Sequence, residues 1–183
     1  QAMNLPSPGY VYHDQVRGYI KSIVPDGYSG RVAITEVRPN DVNRKSSYGT
    51  DSDYMECLEL TNTTGKTITL NSQYKLYYSY QESKRKLLTV YQYSSSATNH
   101  VGSSSGCTIP AGGTAVIWVY RYAKLNASST SFPSLTAFRN AYGISSGTPV
   151  YIVTSPDSLN NTMRGLEVFN VDVSGNPDEK VSS

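Results

Sequence analysis

Apolar and polar residues alternate along this chain in short runs, and each run is closed by Asn, Gly, Pro or Ser. A period of two commits a segment to an extended strand with one face inward, and the closing residues commit it to turning back. In Arg31–Val37, Val32, Ile34 and Glu36 fall on one face and Ala33, Thr35 and Val37 on the other, before Pro39 and Asn40 end the run. From Tyr54 to Thr61, Leu58 and Leu60 oppose Cys57 and Glu59. Asn62 to Gly65 reads as a turn and Lys66–Leu70 as the next strand. Tyr74–Tyr80 and Leu87–Tyr93 flank Gln81–Lys86, which reads as the charged tip of a hairpin. Thr114–Val119 is apolar on both faces, as a central strand would be. Pro149–Thr154 and Arg164–Val173 complete the set.

One helix is expected. Ser134 or Thr136 can cap it, Leu135, Phe138 and Tyr142 share a face, and Gly143 suits its C-terminal end. The expected fold is therefore all-β, a sandwich of eight or nine short strands with one short helix. It spans residues 31–175, after a Pro- and Gly-rich lead-in (1–30) and before a polar tail (176–183). Gln1–Met3 are left out of this reading as a candidate vector scar.

Composition narrows the class further. In 183 residues, charged side chains make up only 16% and the formal net charge is +2, while Tyr, at 16, far outnumbers Phe, at 3. A coiled coil or helical array would be rich in Ala, Glu, Lys and Leu, and a disordered chain would lack the Tyr, Val, Ile and Leu found here. No run of apolar residues is long enough to insert in a membrane as a helix.

Catalytic signatures are sparse. There is no Gly-x-Ser-x-Gly elbow, phosphate-cradling Gly loop or His-Glu-x-x-His, and the two histidines, His13 and His100, sit in loop-like segments. A general base needs a rigid orienting partner, so the expectation is a non-enzyme without a cofactor. Asp51, Asp53 and Glu56 form a weak Ca²⁺ candidate, against the plainer reading of a solvated start to a strand. Glu59 is expected to accept hydrogen bonds in a structural role. Cys57 and Cys107 can form at most one internal disulfide, which requires their Cα atoms within about 7 Å. Sequence leaves bridge and thiols both open.

The tyrosines offer the clearest binding candidates. Tyr78 and Tyr80 lie on one strand, Tyr91 and Tyr93 on its expected partner, and Tyr120 and Tyr122 continue the parity of Trp118. Exposed together, such rings would form a platform for a glycan or a protein; the alternative is that they fill the core. Lys84, Arg85 and Lys86 form a basic patch that would bind a nucleic acid backbone or simply protect a hairpin tip.

In order and spacing, Ile34–Val37, Glu59-Leu60-Thr61-Asn62, Gly65–Leu70, Ile109–Val119, Phe138–Gly143 and Arg164-Gly165-Leu166 resemble the lamin tail domain, in the version found in secreted proteins of Gram-positive bacteria. The resemblance implies an immunoglobulin-like β-sandwich, often alongside a metallophosphatase or nuclease domain in one polypeptide. It supplies no catalytic residues. It implies an extracellular or cell-surface interaction module, with a wall or glycan polymer or a protein as partner. A spacer without a ligand, and an accessory domain contacting nucleic acid beside a phosphodiesterase, are the alternatives.

Overall fold

A computed structural model describes residues 31–39, 55–81, 84–97, 100–120, 133–154, 159, 165–171 and 177–182. In chain order these form β1 (Val32–Arg38), β2 (Cys57–Asn62), β3 (Ile68–Thr69), β4 (Tyr74–Gln81), β5 (Lys84–Leu88) and β6 (Val90–Gln92). There follow β7 (Thr108–Ile109), β8 (Thr114–Tyr120), α1 (Leu135–Tyr142), β9 (Val150–Thr154), β10 (Gly165–Val171) and β11 (Pro177–Ser182). The strands build an all-β sandwich. One sheet has the order β1-β2-β8-β9-β6, the other β11-β10-β4-β5, and the pair β3-β7 stands apart.

The alternation read from sequence places the core. Leu58, Leu60, Ile117 and Val119 from the larger sheet meet Leu76, Tyr78, Leu88, Leu166 and Val168 from the smaller one, with Ile68 and Ile109 from the short pair. β8 is central, between antiparallel β2 and parallel β9. Parallel neighbours need a crossover, and α1 lies in that connection. Phe138 from α1 packs with Val116, Trp118, Tyr120 and Ile152 on the sheet's outer face, so β8 is buried on both sides. The helix ends follow from their caps: Ser134 Oγ accepts from the Ala137 N–H, and Gly143 takes the left-handed backbone at φ 65°.

Four details differ from the sequence reading. A bulge between Ile34 and Glu36 sets both Thr35 and Glu36 against Glu59, so Glu36 leaves the face of Val32 and Ile34. The expected strand Leu87–Tyr93 divides at Thr89: β5 pairs with β4, whereas β6 pairs with β9 in the other sheet. Leu88 and Val90 keep one parity and both stay in the core across that switch. Lys84, Arg85 and Lys86 form most of β5 instead of a hairpin tip. Finally, residues 177–182 of the expected polar tail pair with β10 as β11, with Val181 buried in the sandwich.

One end of the sandwich is closed by a buried side chain. Asn62, fully buried, donates from Nδ2 to the carbonyls of Lys66, Ile109 and Pro110, each at 2.9 Å. Its Oδ1 accepts from the Thr64 N–H at 2.9 Å and the Thr64 hydroxyl at 2.6 Å. Replacing Asn62 by Ala strands several buried polar groups at once and should lower stability by about 3 kcal/mol. Asn62→Asp, which has no amide donor, should lose a similar amount. Urea unfolding checks both, and an unchanged midpoint would refute the hub role.

Candidate functional site

The two sheets present very different outer faces. On the five-stranded sheet, α1 together with Tyr91, Tyr93, His100 and Val101 covers β8 and β9 with a largely aromatic layer. The Trp118 ring stacks on Phe138 at 4.2 Å between centroids and meets Tyr120 edge-on at 5.2 Å. Tyr93 lies parallel to Trp118 at 6.4 Å and stacks on His100 at 5.2 Å. His100 Nδ1 is 3.1 Å from the Ser94 carbonyl, so its surroundings are rings and a carbonyl. His13 lies outside the described residues.

Beside this layer the β1 bulge opens a shallow cleft lined by Glu36, Arg38, Cys57, Glu59, Tyr142 and Ile144, among others. Arg38 donates from Nε to Glu36, and its guanidinium lies 5.1 Å over the Tyr142 ring. Burial alone would lower the Arg38 pKa, but Glu36 and its other neighbours more than offset this and the pKa is raised. The Tyr142 hydroxyl donates to the Met55 carbonyl at 2.7 Å. Glu59 accepts from the Thr35 hydroxyl at 2.7 Å, as a structural acceptor would. That hydroxyl also begins a row with Thr61 and Thr114, spaced at 3.2 Å across three strands.

On the four-stranded sheet no second layer covers the outer face among the described residues. The parity of β4 turns Leu76 and Tyr78 inward and leaves Tyr77 and Ser79 outward, and the register sets Ser79 against Arg85 and Gly165. The Arg85 Nε donates to Glu167 Oε2 at 2.7 Å, and the Ser79 hydroxyl donates to the same oxygen at 2.6 Å. The guanidinium lies 4.7 Å over the Phe169 ring, which Tyr77 meets edge-on at 5.4 Å. Leu87 beside it is 45% exposed. Desolvation raises the Tyr77 pKa, and the nearby Arg85 charge partly offsets it.

Among the described residues the tyrosines foreseen as a platform are not exposed together. Tyr78 is buried because it shares the inward parity of Leu76 and Leu88, and Tyr120 is buried because α1 and the aromatic layer cover its face. Tyr91 and Tyr93 are half-buried against that same layer. Tyr122 lies outside the described residues, as does the side chain of Tyr80. Of the basic patch, Lys84 and Arg85 are exposed, while Lys86 stands opposite Tyr78 and is half-buried. The side chains on this face that the sequence did not single out are Glu167 and Phe169. Taking Leu76 as the inward reference would have placed Tyr77 outside.

The remaining candidates have structural roles. Asp51 and Asp53 lie outside the described residues. Glu56 is no solvated residue at a strand's start: it is buried, and its Oε2 accepts from the Leu159 N–H at 2.8 Å. Cys57 and Cys107 are buried thiols that are not bridged. They sit on opposite sides of the five-stranded sheet, Cys57 under the helix and Cys107 in the sandwich interior. The Asn62-Thr-Thr sequence fits a glycan acceptor, yet its amide is wholly engaged inside the protein. Among the described residues no helix is long and apolar enough to cross a membrane. No protein-family model matches the chain, and neither does any curated protein.

Burial pushes the Cys107 thiol from 9.0 up to about 11 and raises Tyr120 and Tyr151 as well. The unfolded chain therefore releases these protons first, so stability is intact below pH 9.0 and falls as pH rises toward about 11. The urea midpoint should follow that course, and Cys107→Ala should flatten part of the decline. A midpoint independent of alkaline pH would contradict it.

Proposed function

We propose that this chain is a non-catalytic interaction module of the lamin-tail kind, from a secreted or surface-attached bacterial protein. It would hold its parent protein against a partner through the outer face of the four-stranded sheet. The observation that carries this reading is Arg85, fixed on the Phe169 ring by Glu167 and flanked by the exposed Leu87. A cation already ordered on a rigid sheet loses little entropy when a ligand arrives, which is what a binding surface requires. The order of motifs from Ile34 to Leu166 supports the family assignment, and the chemistry of the face supports a polar, charged contact in place of stacked tyrosines.

Co-sedimentation with purified bacterial wall, insoluble polysaccharides and DNA-coated beads, at two salt concentrations, tests the proposal. Retention on at least one matrix is expected, and Arg85→Ala with Leu87→Ala should reduce it about tenfold or more, the scale of a lost central contact. Retention that the double substitution leaves intact would place the contact elsewhere. No retention on any matrix would favour a spacer.

A further inference from the structure

The four-stranded sheet also ends in an open edge, and the residues along it define the strand it would accept, an inference that rests on the reading just given. In the described structure the two sheets end in four strands, β1, β6, β11 and β5. Three of these edges are closed or broken. On β6, the Asn71 amide bonds both the N–H and the carbonyl of Val90, while the N–H and carbonyl of Gln92 bond Ser103 and Gly102. β1 carries the bulge at Thr35, and β11 opens with Pro177 and shifts register twice along β10. β5 keeps an unbroken register from the Leu76–Leu88 pair to the Ser79–Arg85 pair, and no hydrogen bond from another described residue meets its far side. Every second residue of such an edge turns its N–H and C=O away from the sheet, where an added strand can pair with them.

Side chains decide which strand. Along β5, Lys84, Lys86 and Leu88 point to one side and Arg85 and Leu87 to the other. Leu88 is buried in the core, Leu87 is exposed, and Arg85 already has Glu167. Lys84 and Lys86 form no ion pair among the described residues. An added strand would therefore meet apolar positions at Leu88 and Leu87 and positive charge at Lys86 and Lys84. A second copy is a poor partner, because laying it antiparallel along the whole of β5 sets Lys86 against Lys86. This chain also lacks the complementary strand. Asp51 and Asp53 are its only acidic residues two apart, and Gly49 and Thr50 precede them.

We propose that β5 accepts an extended acidic peptide from another protein, added antiparallel. Two apolar residues of that peptide lie opposite Leu88 and Leu87, and acidic residues follow opposite Lys86 and Lys84. The whole chain would be titrated with acetyl-Thr-Val-Ile-Glu-Thr-Glu-Thr-amide, with the reversed sequence and with a form carrying Lys for Glu, while amide exchange maps the protected strand. The first peptide should protect β5 and bind several-fold more tightly than the reversed one and about tenfold or more above the Lys form. N-methylation of alternate peptide residues should abolish binding in one phase and spare it in the other, because only one set of N–H groups faces β5. Leu87→Ala should weaken binding several-fold. Lys84→Glu with Lys86→Glu should lose the acidic peptide and gain the Lys form, an exchange that misfolding cannot produce.

Equal binding of the acidic and Lys peptides would overturn the charge assignment, and equal binding of the reversed peptide would overturn the antiparallel register. Equal tolerance of both methylated forms would refute strand addition. Protection mapped to another strand would refute the edge. Failure of the acidic peptide to bind would overturn the ligand class and leave β5 as an edge that only repels. The outer face is judged separately by the sedimentation panel, which uses no peptide.

Discussion

The carboxamide of Asn62 is the interaction on which the end of this sandwich depends. A turn and two short strands meet there with more backbone carbonyls than their own pairing can satisfy. β3 and β7 share only two residue pairs, too few to be stable as a free ladder. One buried amide supplies donors to three of those carbonyls and accepts two hydrogen bonds from Thr64. The Asn62 backbone N–H bonds the Gly113 carbonyl, joining the same residue to the turn that leads into β8. Since β8 is the central strand, the hub fixes where the most buried strand begins. Asn71 repeats the device on a smaller scale, bonding both the N–H and the carbonyl of Val90. These two amides lock loops to strands where the described residues offer few ion pairs to do so.

From that frame follows a division of labour between the faces. β8 is apolar on both sides, so its sheet must be covered twice, once by the opposing sheet and once by α1 with the aromatic layer. That second covering consumes Trp118, Tyr120 and much of Tyr91 and Tyr93, rings that would otherwise be available to a ligand. On the outer face of β4, β5 and β10 no described residue forms a comparable second layer, although Glu167 and Phe169 are buried there with Arg85 over the Phe169 ring.

Much of this was legible in the sequence. Alternation marked the Leu58 and Leu60 face of β2, the run of apolar residues marked β8 as central, and the Ser134 and Gly143 caps bounded the helix. What alternation could not show was where it breaks. The bulge at Thr35 and the change of sheets at Thr89 insert no turn residue and leave the local pattern intact. Both depend on contacts with strands far away in sequence. The tyrosines misled for a related reason: a count of rings carries no information on which sheet face a helix will cover. Asn62 read as an ordinary turn residue, because its partners Ile109 and Pro110 lie far along the chain. Lys84–Lys86 looked like a loop by charge, yet long aliphatic stems can line a strand while their heads reach solvent.

Arg85 and Arg38 show one construction used twice, on opposite sides of the protein. In each, a glutamate holds Nε and an aromatic ring lies beneath the guanidinium. The consequences differ because the surroundings differ. Arg38 sits in a cleft with Glu36, Glu59 and the helix end, where a second carboxylate opposes any incoming anion. Arg85 has one carboxylate behind it, two lysines along its strand, and a strip of Ser79 and Gly165 before it. The same stacked guanidinium is therefore a clasp between β1 and α1 in one place and an exposed cation on a sheet face in the other. The surroundings, not the side chain itself, separate the two settings.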